Sequence, residues 1–179
     1  MLLRFLLIVA FVALTAGAVR SQQVFSELRI GVGPHGYDWL IGTWSCVDNM
    51  PSLTADPNAK SRVTVAKNAV GDALIGRESA KDFDSVFYSA YNTKTKTWWN
   101  PVAFADGSSQ NESTNGTGKT ETWNGSYFNA KSGTTTRIRD VFTNSPPAEF
   151  TDLGQSWLAG TWKTVYFITC KKTLRHDVR

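Results

Sequence analysis

Past residue 36 the chain alternates apolar and polar positions in short runs, and turn residues break those runs about every ten to twelve positions. After the first twenty or so residues, no stretch holds an apolar helical spacing for more than about two turns. The pattern predicts strands near 40–48, 61–69, 73–81, 85–91, 97–105, 108–114, 119–129, 134–143, 148–157 and 161–171. Between them lie Asn92-Thr93-Lys94-Thr95-Lys96, Asp106-Gly107, Lys131-Ser132-Gly133 and Asn144-Ser145-Pro146-Pro147. Asp-Gly is the strongest of these turn signals, because glycine readily takes the positive φ of a tight hairpin. The two prolines must lie outside a central strand, since proline cannot donate to the ladder. An antiparallel, all-β sandwich or barrel follows.

One hexapeptide nearly repeats: WLIGTW at 39–44 and WLAGTW at 157–162. Nothing on either side repeats with it, so duplication is not the cause. The first copy follows the turn-like HGYD and opens the first strand. The second straddles a hairpin turn at 158–160.

The N-terminus reads differently. MLLRFLLIVAFVAL has one Arg followed by ten apolar residues, and small residues come next. This is the form of a secretory signal peptide, shorter than the ~18 apolar residues of a membrane span. Cleavage after Ala18 or Ser21 fits; the second is preferred and leaves Gln22 first. The expected organisation is a signal peptide over 1–21, a flexible lead over 22–36, a barrel over 37–173 and a basic tail over 174–179. Losing Arg4 and Arg20 lowers the formal charge from +4 to +2, and the remaining Lys and Arg are scattered. Nucleic acid is therefore not expected as a partner, nor a membrane once the signal is removed. The product would be secreted or periplasmic.

Export makes the only two cysteines informative, because an even pair in an oxidising compartment is expected to bond. Cys46 falls in the first strand and Cys170 near the end of the last. A bond between them makes those strands neighbours and closes a meander into a barrel. With ten strands the two run antiparallel, residues near 43 face residues near 173, and the two hexapeptides sit at opposite ends.

YDWLIGTWSC resembles the Gly-x-Trp opening of the calycin superfamily, the lipocalins and their relatives. Tyr91 to Trp98, the Ser/Gly-rich hairpins, Arg139-Asp140 and the closing GTW…TCKK are similar to small secreted bacterial lipocalin-like proteins. The resemblance covers about residues 37–172. It implies an up-and-down barrel in which Gly42 and Trp44 close one end. It also implies a lumen for a small apolar or amphipathic molecule. The helical lid of fatty-acid-binding proteins has no counterpart in NMPSLTADPNAK, which is too short and holds two prolines. The haem-binding nitrobindins use Gly-x-Trp-x-Gly and a His in the last strand; here Cys46 replaces the second Gly and 161–171 has no His. No cofactor is expected.

Catalytic signatures are absent from the sequence. His35 and His176 lie outside the strands, and paired cysteines leave too few ligands for a zinc site. No catalytic residue or metal ligand is assigned, although Glu78, Glu121 and Asp140 offer material for an acid pair. Arg77, Arg137 and Arg139 fall within strands. Either they are solvated outer positions with Glu78 and Asp140 as partners, or one turns inward to receive an anionic headgroup. On the second view Tyr88, Trp99, Trp123 and Tyr166 line the lumen, with Arg77, Arg137 or Arg139 at the ligand's polar end. A carrier or sensor is the first expectation. An isomerase- or hydrolase-like enzyme using lumen acids and Tyr, and a filled-core interaction domain, are the alternatives.

Overall fold

A computed structural model describes residues 30–31, 35–49, 59–116, 118–145 and 148–173. The expected signal peptide, the 174–179 tail and most of the lead and of the NMPSLTADPNAK segment lie outside the described residues.

Ten long strands build the molecule: β2 (Gly42–Asp48), β3 (Lys60–Lys67), β4 (Ala73–Ala80), β5 (Phe83–Asn92), β6 (Thr97–Phe104), β7 (Ser109–Thr114), β8 (Thr120–Asn129), β9 (Thr134–Ser145), β10 (Glu149–Leu158) and β11 (Thr161–Lys172). Each pairs antiparallel with its sequence neighbour, and β11 returns to β2, so the sheet closes into an up-and-down barrel. A two-residue strand, β1 (Ile30–Gly31), adds to the end of β5.

Local chemistry sets the hairpins. The Asn68 side chain accepts from the amides of Gly71, Asp72 and Ala73, which turns β3 into β4. Asn92 does the same for Lys94 and Thr95, and Asp106 for Ser108. Gly107, within that last turn, and Gly133, between β8 and β9, take φ of 85° and 68°, a region closed to most side chains.

Closure brings Cys46 directly opposite Cys170, their Cα atoms 4.0 Å apart, and the expected disulfide joins them. Lys172 pairs with Trp44, and the Thr173 amide donates to the Thr43 carbonyl. Trp157 pairs with Trp162 across the β10–β11 hairpin at the opposite end. The two hexapeptides are thus unrelated in role.

HGYD, read from sequence as a turn-like lead-in, and Trp39-Leu40, read as the opening of the first strand, together form a 3-10 helix, His35–Leu40, which plugs the first end; the strand itself starts at Gly42. Tyr37 is 5% exposed and packs edge-on against Trp98 at 4.7 Å and beside Trp123 at 5.6 Å. Trp39 meets Trp44 and Phe150. Trp44 is 1% exposed and its indole N–H donates to the Leu40 carbonyl at 2.7 Å. Gly42 precedes it at φ 137°, where a Cβ would lie 2.8 Å from Lys172 Cε. The plug end therefore holds the aromatic core, and the remaining interior runs from it towards the far end.

Candidate functional site

Strand alternation decides what enters the barrel. On β9, Ile138, Asp140 and Phe142 share a face with buried neighbours, while Arg137 is exposed. On β10 the inward set is Phe150, Asp152 and Gly154. On β7 it is Gln110, Glu112 and Thr114. Acids on three strands thus occupy positions that alternation reserves for apolar side chains. Glu112, Asp140 and Asp152 are 2%, 3% and 6% exposed.

These carboxyls form one cluster. The Gln110 amide donates to Glu112 Oε2 at 2.8 Å and to Asp140 Oδ2 at 2.9 Å. The Tyr166 hydroxyl, from β11, donates to Asp152 Oδ2 at 3.3 Å and also lies within reach of Asp140. Half-buried Glu78 on β4 accepts from the Ser61 hydroxyl at 2.6 Å and adds to the negative field at Asp152. Two glycines shape the walls. Tyr166 lies over Gly154 and Phe87 over Gly76, each ring filling the space a Cβ would take. Both rings therefore rest along the sheet.

Burial fixes the charge state. Desolvation, then the charge of Asp140, pushes Glu112 up to about 9. Desolvation raises Asp140 and raises Asp152 well above the ordinary carboxylate range, with Asp140 and Glu112 adding to the effect at Asp152. The Tyr166 phenol is raised too, by burial and then by the neighbouring carboxylates. At neutral pH the cluster holds protons. Glu121, nearer the plug, is raised to about 7 by desolvation.

Several interior polar atoms have no hydrogen-bond partner among the described residues: Glu112 Oε1, Asp152 Oδ1, Glu121 Oε2 and the indole nitrogens of Trp98 and Trp123. Each such buried atom costs about 1–3 kcal/mol. No group of three or more His, Cys, Asp or Glu among the described residues is arranged to hold a metal ion.

The residues singled out from sequence divide between the two faces. Trp123 is buried inside, opposite Asp140, and Tyr166 turns its hydroxyl into the acid cluster. Arg77 lies outside in a two-pronged pair with Asp84, at 2.6 and 2.8 Å. It does not pair with Glu78, whose side chain points inward. Tyr88 pairs with exposed Ile75 and is bonded to Asn68. Trp99 is 42% exposed and donates to Asn111. Arg137 and Arg139 stack over the Trp162 ring at 5.2 and 4.4 Å, and Arg139 donates to Gln155. The last grouping depends on a register shift after Gly154, which leaves Val165 unpaired and turns Trp162 to the outer face while Tyr166 stays inside. The arginines and the lumen aromatics are therefore not brought together. Asp140, weighed from sequence as an arginine's surface partner, is interior. Glu112, Asp152 and Gln110 were not singled out by sequence at all.

Fold and interior together define a closed, plugged β-barrel whose interior holds a cluster of buried carboxyls. Among known proteins, no family model and no curated sequence matches the chain.

Proposed function

We propose that this protein is a secreted, lipocalin-like barrel that takes a small amphipathic molecule into its lumen. In this reading the polar end of the ligand meets Gln110, Glu112, Asp140, Asp152 and Tyr166. The arginines expected from sequence to serve as anchors lie on the outer face and play no part. One observation carries the reading: a buried carboxyl cluster with oxygens left unpaired. Apolar residues of similar size would fill those positions at lower cost, so the arrangement has a use beyond stability. Clustered ionisable groups of shifted pKa inside a concavity are the usual mark of a binding or reactive site. Secretion rests on the leader and is supported by the disulfide, which cytosolic conditions disfavour.

Native mass spectrometry of the protein purified from its own host tests the reading, together with tryptophan fluorescence during titration with fatty acids, retinoids, aromatic acids and amines. A co-purifying molecule, or a shift from Trp98 and Trp123 that Glu112→Gln weakens, is the expected result. Absence of both overturns the reading and favours an interaction domain.

A second reading has its own support. Tyr166 and the proton-holding carboxyls Glu112 and Asp152 form a set of general acids within one buried cluster. An isomerase- or hydrolase-like enzyme on this scaffold would lose turnover in Glu112→Gln while retaining binding.

A further inference from the structure

The sign of the lumen follows from where every cation goes. All described Lys and Arg residues are exposed except two. Arg139 is turned outward over Trp162, and Lys172 sits at the plug, where its ammonium donates to the Trp39 carbonyl and lies over the Trp44 ring. The ionisable groups acting on the cluster are all acidic: Glu78 from β4, Glu112 from β7, Asp140 from β9, Asp152 from β10 and Tyr166 from β11. Among the described residues the cluster therefore has no internal counter-ion.

Two independent features point to something that fills this place. Asp152 Oδ1 and Glu112 Oε1 have no hydrogen-bond partner among the described residues. Trp123, 5% exposed, stands beside Asp140 in the β8–β9 register with its own N–H unsatisfied. Directly paired residues project side by side from the same face, so an indole ring whose N–H has no partner among the described residues stands next to Asp140.

Resting on the ligand-binding reading above, we propose that the lumen takes a small organic amine, whose ammonium sits among Glu112, Asp140 and Asp152 with its apolar body against the tryptophans. The chemistry excludes the alternatives in turn. An anion would be buried with no cation to pair with among the described residues, at the full cost of an uncompensated charge. A divalent metal finds no suitable ligand set among the described residues. An ammonium supplies three donors to the unpaired oxygens and is attracted to aromatic faces. Entry is balanced by a proton: one carboxyl O–H gives its proton to solvent, and the resulting carboxylate pairs with the ammonium. Site charge is unchanged. Because an alkylamine stays protonated to about pH 10 while the cluster yields its proton more readily as pH rises, affinity should increase with pH. One proton released corresponds to a change of about tenfold per pH unit below the cluster's pKa.

The test uses three probes of one shape: phenethylamine, 2-phenylethanol and phenylacetate, titrated calorimetrically into the mature protein in two buffers of different ionisation enthalpy. Phenethylamine should bind about tenfold or more tighter than either analogue, with a heat that depends on the buffer because a proton is released. Glu112→Gln, or Asp140→Asn should the first variant fold poorly, should reduce both the preference and the proton count. Equal or tighter binding of the alcohol or the acid, or amine binding with no proton released, overturns the amine assignment and leaves a ligand-binding lumen intact. No binding by any of the three overturns the assignment as well. If the wider fluorescence panel is also silent, the lumen reading falls with it.

Discussion

Glu112 occupies a position that β7 would ordinarily give to an apolar side chain, and it does so without a cation beside it. Its proton resolves the conflict, since a neutral carboxyl is far cheaper to bury than a carboxylate. Replacing Glu112 by Gln keeps the shape and removes the titration. The variant should lose about 1.4 kcal/mol per pH unit from the slope of stability against pH between pH 5 and pH 8, read from urea midpoints. Trp44 offers a contrasting residue-scale test. It is 1% exposed and packs on Phe150 at 4.9 Å, so Trp44→Ala should cost about 3–5 kcal/mol in the same measurement. The two differ in legibility. Trp44 announces itself through Gly-x-Trp. Glu112 sits in SQNEST, where no apolar alternation marks either face. Asp140 was nearer to being readable, because it alternates with Ile138 and Phe142; the flanking Arg137 and Arg139 drew attention to a surface pairing instead.

At the scale of elements, nearly all of the architecture was written in the alternation. The ten strands fall within a few residues of the predicted spans, and the turns lie where Asn, Asp and Gly placed them. The exceptions have physical causes. HGYDWL is too short for a periodic signal and becomes ordered through Tyr37 and Trp39 packing on rings from distant strands. The facing of Trp162 depends on a bulge, and a one-residue shift moves a side chain to the opposite face. The β7–β8 contact is especially close. A Cβ on Gly125 would stand 2.0 Å from the Asn111 carbonyl oxygen. Gly125→Ala should therefore destabilise the fold by about 1–3 kcal/mol, visible as a lowered thermal midpoint. The disulfide between β2 and β11 closes a loop with a sequence separation of 124. In the chain-entropy account a bond of this span contributes roughly 4–5 kcal/mol. Thiol titration of denatured, unreduced protein should find no reactive group, and reduction should lower the melting temperature while leaving the β-sheet circular dichroism in place.

For the whole molecule, the buried acids set the direction of pH dependence. Their folded pKa values lie above the unfolded ones, so between about pH 4.5 and about pH 9 the native state holds more protons than the unfolded chain. Stability is therefore present in acid and is lost as pH rises through that window. Asp84, lowered chiefly by its bond to Arg77, acts in the opposite sense only at acid pH and is solvated. Thermal midpoints should accordingly fall from pH 5 to pH 8. Sequence alone gave no access to this behaviour, because it arises from side chains on β4, β7, β9, β10 and β11 brought together by closure of the barrel.

The proton-holding cluster is the feature on which the functional account rests, and carboxyl ¹³C chemical shifts followed by NMR across a pH titration measure it residue by residue. Glu112 should titrate near pH 9, with Asp140 and Asp152 also above the ordinary carboxylate range. Ordinary titration of all three, each ionised at neutral pH, would contradict a buried cluster and the ligand site built on it.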